Sequence, residues 1–271
     1  MVITEALLVL PIMIPQSFKK RAKSEDNGNK FDIKRDLWRF IIIGAVFALA
    51  QVMFIFGFRN SDAITGSIAV KSAIIFTLLA GWIFLKEKAS KLQMLMTGFI
   101  VISLIFVLTE GSLNNIEISS GTIILLFVPL LWTIGHTLTK PLLLKEIVIP
   151  SQVIFLRTFI VGIFLFIAYF TTNPLDQFLL MFKPRNLISI LLIAGTYVIG
   201  HYFWYSSIKH IDLAMSSSIQ AVQPIITSVM ATLILQEIFT IFHLVGLIFI
   251  TGSIFVIFYD KFRISKMKDR L

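Results

Sequence analysis

The sequence predicts an all-α integral membrane fold of about nine transmembrane helices, and three observations predict it. Apolar residues make up 57% of the 271-residue chain and charged residues only 14%, against roughly 25% charge in a soluble domain. The mean hydropathy is +0.89, more apolar surface than one water-surrounded core can bury, so lipid must solvate part of it. The apolar residues fall in runs of about 20, the length that crosses about 30 Å of hydrocarbon at helical rise. Lys and Arg are also shared very unevenly between alternate linkers, as in an oriented bundle.

The spans follow in order. Val2–Phe18 is short, carries Glu5, and runs into the basic cluster Lys19, Lys20, Arg21. Lys19–Leu37 is a polar linker containing Ser24-Glu25-Asp26-Asn27-Gly28-Asn29. Trp38–Phe58, Ala63–Leu85, Leu92–Thr109 and Gly121–Lys140 come next, separated by short linkers. Ser151–Thr171, Leu187–Ile208, Leu213–Gln236 and Ile241–Tyr259 complete the set. Of the 24 Lys and Arg residues, nineteen fall on one side of the membrane. Three (Arg59, Lys183, Arg185) fall on the other, and Lys71 and Arg157 lie inside spans. The basic side is therefore expected in the cytoplasm, with the C-terminal tail 261–271. The net charge of +9 then reflects membrane lipids as partners, basic residues beside span ends facing anionic headgroups, and no nucleic acid is implied. With zero cysteines, disulfide and thiolate–metal chemistry are excluded.

An internal repeat is visible at a shift of 150 residues. Asp62 falls on Asp212, Ser67 on Ser217, Thr77 on Thr227, Leu85 on Leu235, Glu87 on Glu237, and Gln51 on His201. Each Glu is followed three positions later by a helix-starting hydroxyl, Ser90 or Thr240. Ser90-Lys91-Leu92-Gln93 has the form of a capping box. Because the shift contains an odd number of spans, the two copies are expected to have opposite topology. Inverted repeats of this kind place a binding site near the midplane.

The stretch Ile211-Asp-Leu-Ala-Met-Ser-Ser-Ser-Ile-Gln-Ala-Val-Gln-Pro224, followed by Leu235-Gln-Glu237 and by Gly246 and Gly252, resembles the end of an EamA-type repeat of the drug/metabolite transporter superfamily. The first copy, Ser61–Leu108, keeps Glu87 and Gly98 but has Ile74 where the second has Pro224. The resemblance implies two repeats, 1–110 and 120–260. It also implies a ten-span fold, of which this sequence lacks the first span: either the protein starts late or its natural start lies upstream of Met1. It further implies a secondary transporter or exporter in the cell membrane that moves a small polar metabolite by alternating access.

Lys71 is the sharpest candidate for contact with such a substrate. It lies eight residues inside Ala63, about 12 Å at helical rise, too deep to snorkel easily to either surface. A lipid-facing charge at that depth costs about 2.5–3.5 kcal/mol, so Lys71 must face the bundle interior. There it either recognises an anionic substrate or is satisfied by helix carbonyls. Gln51 and His201 lie near the middles of equivalent spans. Tyr197, His201 and Tyr205 share one helix face, as cavity lining or as interhelical hydrogen-bonding groups. Trp132 and His136 share another face, with Lys140 a turn nearer the membrane surface. Gln220, Gln223 and Pro224 sit mid-span, where the proline frees the Gln220 carbonyl and bends the helix. Arg157 reads as a snorkelling residue, and Glu87 and Glu237 as structural.

The fifteen acids fall in loops or near span ends, with Glu5 the one ambiguous position. The sequence thus offers no evident buried carboxylate as a proton or sodium handle. Coupling would fall to His136, His201 or a charge on the substrate. Walker A, HExxH and Gly-x-Ser-x-Gly patterns do not occur. No cofactor or metal is implied, and the chain is not expected to be an enzyme. The competing readings are an integral-membrane enzyme and a non-transporting scaffold of the same fold.

Overall fold

A computed structural model of the chain describes residues 1–23, 33–87, 89–111, 118–172 and 174–268. Among these residues the structure is all helical: α1 (Val2–Lys23), α2 (Ile33–Arg59), α3 (Ala63–Ala69), α4 (Ala73–Phe84), α5 (Lys91–Leu108), α6 (Ser120–Leu144), α7 (Pro150–Thr172), α8 (Leu175–Leu179), α9 (Pro184–His210), α10 (Leu213–Ile219), α11 (Gln223–Met230) and α12 (Ile241–Lys268). Eight stretches are long and apolar enough to cross a membrane, and α1 adds the shorter apolar stretch Val2–Phe18. The polar linker is narrower than expected, because Lys19–Lys23 extends α1 and α2 already begins at Ile33. Residues 24–32 of that linker lie outside the described residues.

Two spans read as continuous helices are in fact interrupted, and at equivalent places. Ala63–Phe84 tightens into a 3-10 turn at Val70–Ser72, and Leu213–Leu235 does so at Gln220–Val222, 150 positions later. In the later copy Pro224 supplies the reason, since it has no amide to continue the α ladder. In the earlier copy, which has Ile74 there, Ser72 Oγ donates to the Leu126 carbonyl at 2.7 Å at the same turn.

The helix ends repeat as closely. Each of these two spans stops at a left-handed residue, Lys86 (φ 56°) or Gln236 (φ 59°). The next amide reaches back six residues, Glu87 N to the Gly81 carbonyl at 2.8 Å and Glu237 N to the Ala231 carbonyl at 3.3 Å. That closure is one residue wider than a Schellman end and, like one, follows a left-handed residue. Ser90 and Gln93 then form the reciprocal capping box that opens α5. In the other copy Thr240 and His243 make the same exchange at the start of α12, with imidazole Nδ1 in place of the amide oxygen.

The chain packs as two compact units, Met1–Leu49 with Leu138–His210 and Ala50–Thr137 with Ile211–Leu271. Each unit joins equivalent helices from the two copies, and these run antiparallel. In the unit holding α1, Gln16 and Ser17 near its far end meet Ser151 and Gln152 at the start of α7 at 2.8 and 3.0 Å. Ile3, at the near end of α1, lies against Gly162. In the unit holding α5, the start of that helix meets the end of α12, with Gln93 Nε2 2.7 Å from Asp260. Its other end meets the start of α12, Phe106 edge-on to Phe242 at 5.7 Å. A fully buried core of Ile64, Ile68, Ile100 and Ile257 fills this unit.

Close approach selects one of the three motif glycines. A Cβ on Gly246 would collide with Val107 across the α5–α12 contact, whereas Gly98 and Gly252 face open space.

Candidate functional site

Lys71 sits on the 3-10 turn between α3 and α4 and is 5% exposed. Its ammonium donates to the Gln220 carbonyl at 2.8 Å and to Gln223 Oε1 at 3.1 Å. The carbonyl to which Pro224 can offer no amide accepts from the Gln223 amide across the 3-10 turn and from the lysine. Both acceptors are neutral, and among the described residues no ion pair to Lys71 occurs. An ammonium carries three donors, so two neutral oxygens leave it partly satisfied.

The same unit holds Gln51, Trp132 and His136, all half-buried. Trp132 packs on the Ala69, Val70 and Leu125 cluster beside the Lys71 turn. Its ring lies 5.3 Å from that of Phe54. Gln220 and Gln223 are exposed apart from their contact with the lysine. Six of the eight candidate residues thus belong to one unit, and His201 and Tyr205 belong to the other.

In that other unit the structure corrects three expectations. Glu5, ambiguous in the sequence, lies in the first turn of α1 and is a buried carboxylate, 2% exposed, where no buried carboxylate was expected. His201 Nδ1 lies 2.5 Å from Glu5 Oε1. Arg157 is 6% exposed and so does not snorkel. Its Nη2 lies 3.6 Å from Glu5 and 3.1 Å from His201 Nε2. The guanidinium also stands 4.7 Å from the Phe47 ring and 5.6 Å from that of Tyr205. Burial against protein from α2, α7 and α9 is therefore cheaper for Arg157 than reaching to the interface. Lys140, expected near the membrane surface, is likewise buried, at 6% exposure.

Sequence reasoning missed Glu5 and Arg157 as partners. A usable signal was present: one acid and one base, both inside apolar runs, in spans that the repeat pairs with each other. A buried charge of each sign in paired helices is itself an argument for contact. Tyr197 and Tyr205 flank His201 as their spacing predicted, with ring centroids 5.5 and 6.4 Å away.

The acids read as structural bear out that reading where their contacts are visible. Glu237 accepts from the Ala63 and Ile64 amides at 2.7 and 3.0 Å. It thereby caps α3, a helix of the opposite copy, while Asp62 accepts from Thr65 N at 2.6 Å. Carboxylates at a helix N-terminus meet both free amides and the positive end of the dipole. Among the described residues, no cluster of His, Cys, Asp and Glu is arranged to hold a metal ion.

This helical arrangement coincides with matches to known proteins. The model of the EamA-like transporter family matches residues 1–109 and again 119–259. An uncharacterized transporter of Methanothermobacter thermautotrophicus is 22% identical over 237 residues, covering 84% of this chain and 66% of the relative. The chain thus spans just under two thirds of that relative's length. The uncharacterized transporter YyaM of Bacillus subtilis is 20% identical over 227 residues, 82% of this chain and 73% of its own length. With the family matched across nearly all of its apolar helices, the chain belongs to the EamA-like transporter family and is a multi-pass integral membrane protein.

Proposed function

We propose that the protein carries a small polar metabolite bearing a negative charge across the cell membrane by alternating access, and that Lys71 meets the anionic group. The observation that carries this reading is the Lys71 ammonium, buried mid-span and held only by neutral oxygens. A buried cation is costly without a counter-charge, and an anionic substrate supplies one for the time it is bound. The rest of the reading takes residues 1–110 and 120–260 as the two repeats and the C-terminal side as cytoplasmic. Gln51, Trp132, His136, His201, Tyr205, Gln220 and Gln223 complete the set proposed to face the substrate.

A second reading has a specific observation behind it. Lys71 bridges two interrupted spans through the proline-freed carbonyl, so it could serve as a brace alone. Uptake into proteoliposomes separates the two. Radiolabelled lactate, succinate and phosphate, with a neutral sugar as control, are offered to the wild-type protein and to Lys71→Met and Lys71→Arg. Truncating one side of a buried charged contact costs about 2–5 kcal/mol, or roughly thirtyfold and more in affinity. Lys71→Met is expected to lose anion uptake at that scale while remaining folded. Lys71→Arg is expected to keep a remnant, because its planar fork fits the same acceptors differently. Native-rate anion uptake by Lys71→Met makes the lysine a brace and moves the site elsewhere.

A further inference from the structure

The unit formed by α1, α2, α7 and α9 contains a second charged group, of which the Lys71 reading uses only His201. Glu5, His201 and Arg157 come from three helices and meet in the protein interior. His201 Nδ1 lies 2.5 Å from a carboxylate oxygen of Glu5, close enough to share a hydrogen with it. Arg157 Nη2 lies about equally far from both ring nitrogens, 3.0 Å from Nδ1 and 3.1 Å from Nε2. With the imidazole neutral, the cluster holds one carboxylate and one guanidinium, a formal charge of zero.

As a purely structural tie the cluster is poorly made. The Arg157–Glu5 contact is a single one at 3.6 Å and lacks the bidentate fork that makes such pairs strong. The buried Arg157 Nε has no acceptor among the described residues, and a half-satisfied polar network is a weak element of a core. The repeat supplies an independent argument. At the positions equivalent to Glu5, Arg157 and His201, the other copy has Phe155, Leu7 and Gln51. None of these titrates, so the fold does not require ionisable groups there. Burial is also graded, since the His201 side chain is 22% exposed while those of Glu5 and Arg157 are 3% and 8% exposed. The imidazole is the most exposed member of the three.

We propose that Glu5, His201 and Arg157 form a proton-binding site, in which the Glu5–His201 pair takes up one proton and returns it. Hydronium gives up the proton and leaves as water, one O–H or N–H bond forms on the pair, and the cluster charge moves from zero to plus one. The Arg157 guanidinium stands beside the pair, 3.6 Å from Glu5 and 3.1 Å from His201 Nε2. The groups facing the pair are Arg157 from α7, Tyr197 and Tyr205 from α9, and the amino end at Met1 on α1; α2 contributes the Phe47 ring. The proposal rests on the transporter reading for its purpose, since a buried proton site is the means by which a carrier draws on a pH gradient.

Infrared difference spectroscopy of the full chain in lipid nanodiscs, stepped from alkaline to acid buffer across the ordinary histidine range, tests it without a substrate. The wild-type protein is expected to show carboxyl and imidazole changes that are lost together in Glu5→Gln and in His201→Gln. Lys71→Met is expected to leave them intact. Arg157→Lys, which retains the charge, is expected to shift the midpoint and keep the bands. Wild-type spectra identical to those of Glu5→Gln and His201→Gln overturn the proposal. The transport reading is judged separately: a protein that takes up the radiolabelled anions but shows no such bands loses the proton site alone. A cluster that titrates in a protein that moves none of them leaves the proton site standing and removes the anion reading.

Discussion

Pro224 has no amide to offer the Gln220 carbonyl, which accepts instead from the Gln223 amide and from Lys71 at 2.8 Å. The two residues are therefore coupled, and replacing Pro224 by Ala sets their contributions against each other. Pro224 stands in the first turn of α11, where a proline costs little, so P224A gains little there. The new amide at position 224 then competes with the lysine for the carbonyl, a hydrogen bond to a charged group being worth about 1.5–3 kcal/mol. The new backbone bond offsets much of that loss. P224A is expected to melt within a few degrees of wild type in detergent, to show slow hydrogen exchange at position 224, and to transport poorly. Fast exchange at that amide would mean that the lysine still holds the carbonyl.

At the scale of elements, one junction between helices is closed by a side chain of the opposite copy. Glu237 closes the first turn of α3 by taking two amides. Glu237→Ala leaves both without that acceptor, and each unmet buried donor costs about 1–3 kcal/mol. A clear fall in melting temperature is expected, partly restored by Glu237→Gln, which keeps one acceptor oxygen. An equal fall in both variants would show that the charge at the helix end matters more than the hydrogen bonds. The α5–α12 contact makes a different demand. Gly246→Ala should destabilise by about 1–3 kcal/mol through overpacking against Val107. Adding Val107→Ala should recover most of that loss, whereas Gly252→Ala should be close to neutral. Additive losses in the double variant would disprove the direct contact.

For the whole molecule, the nineteen-to-three distribution of basic residues makes the orientation testable. With zero cysteines in the chain, single introduced thiols report without background. A thiol placed at Ser265 is expected to resist an impermeant reagent in intact cells, and one placed at Asn115, outside the described residues, is expected to react. The reverse pattern would invert every loop.

What the sequence determined by itself is what local pattern encodes. Apolar run length defined the spans, because the bilayer demands it. The 150-residue shift exposed the repeat, and Ser90 with Gln93 announced a cap that forms as read. Pro224 pointed to a free carbonyl at Gln220 because that effect lies four residues back on one helix. The 3-10 turn at Val70–Ser72 carried no such mark, since its partner carbonyl at Leu126 belongs to another helix. Only the tertiary structure decided that α1 lies against α7 and α9, and with that the meeting of Glu5, Arg157 and His201. These residues are 44 to 196 positions apart, and no periodicity links them. The cost of burying each charge could be reckoned from the sequence, but which charge offsets which depends on helix packing.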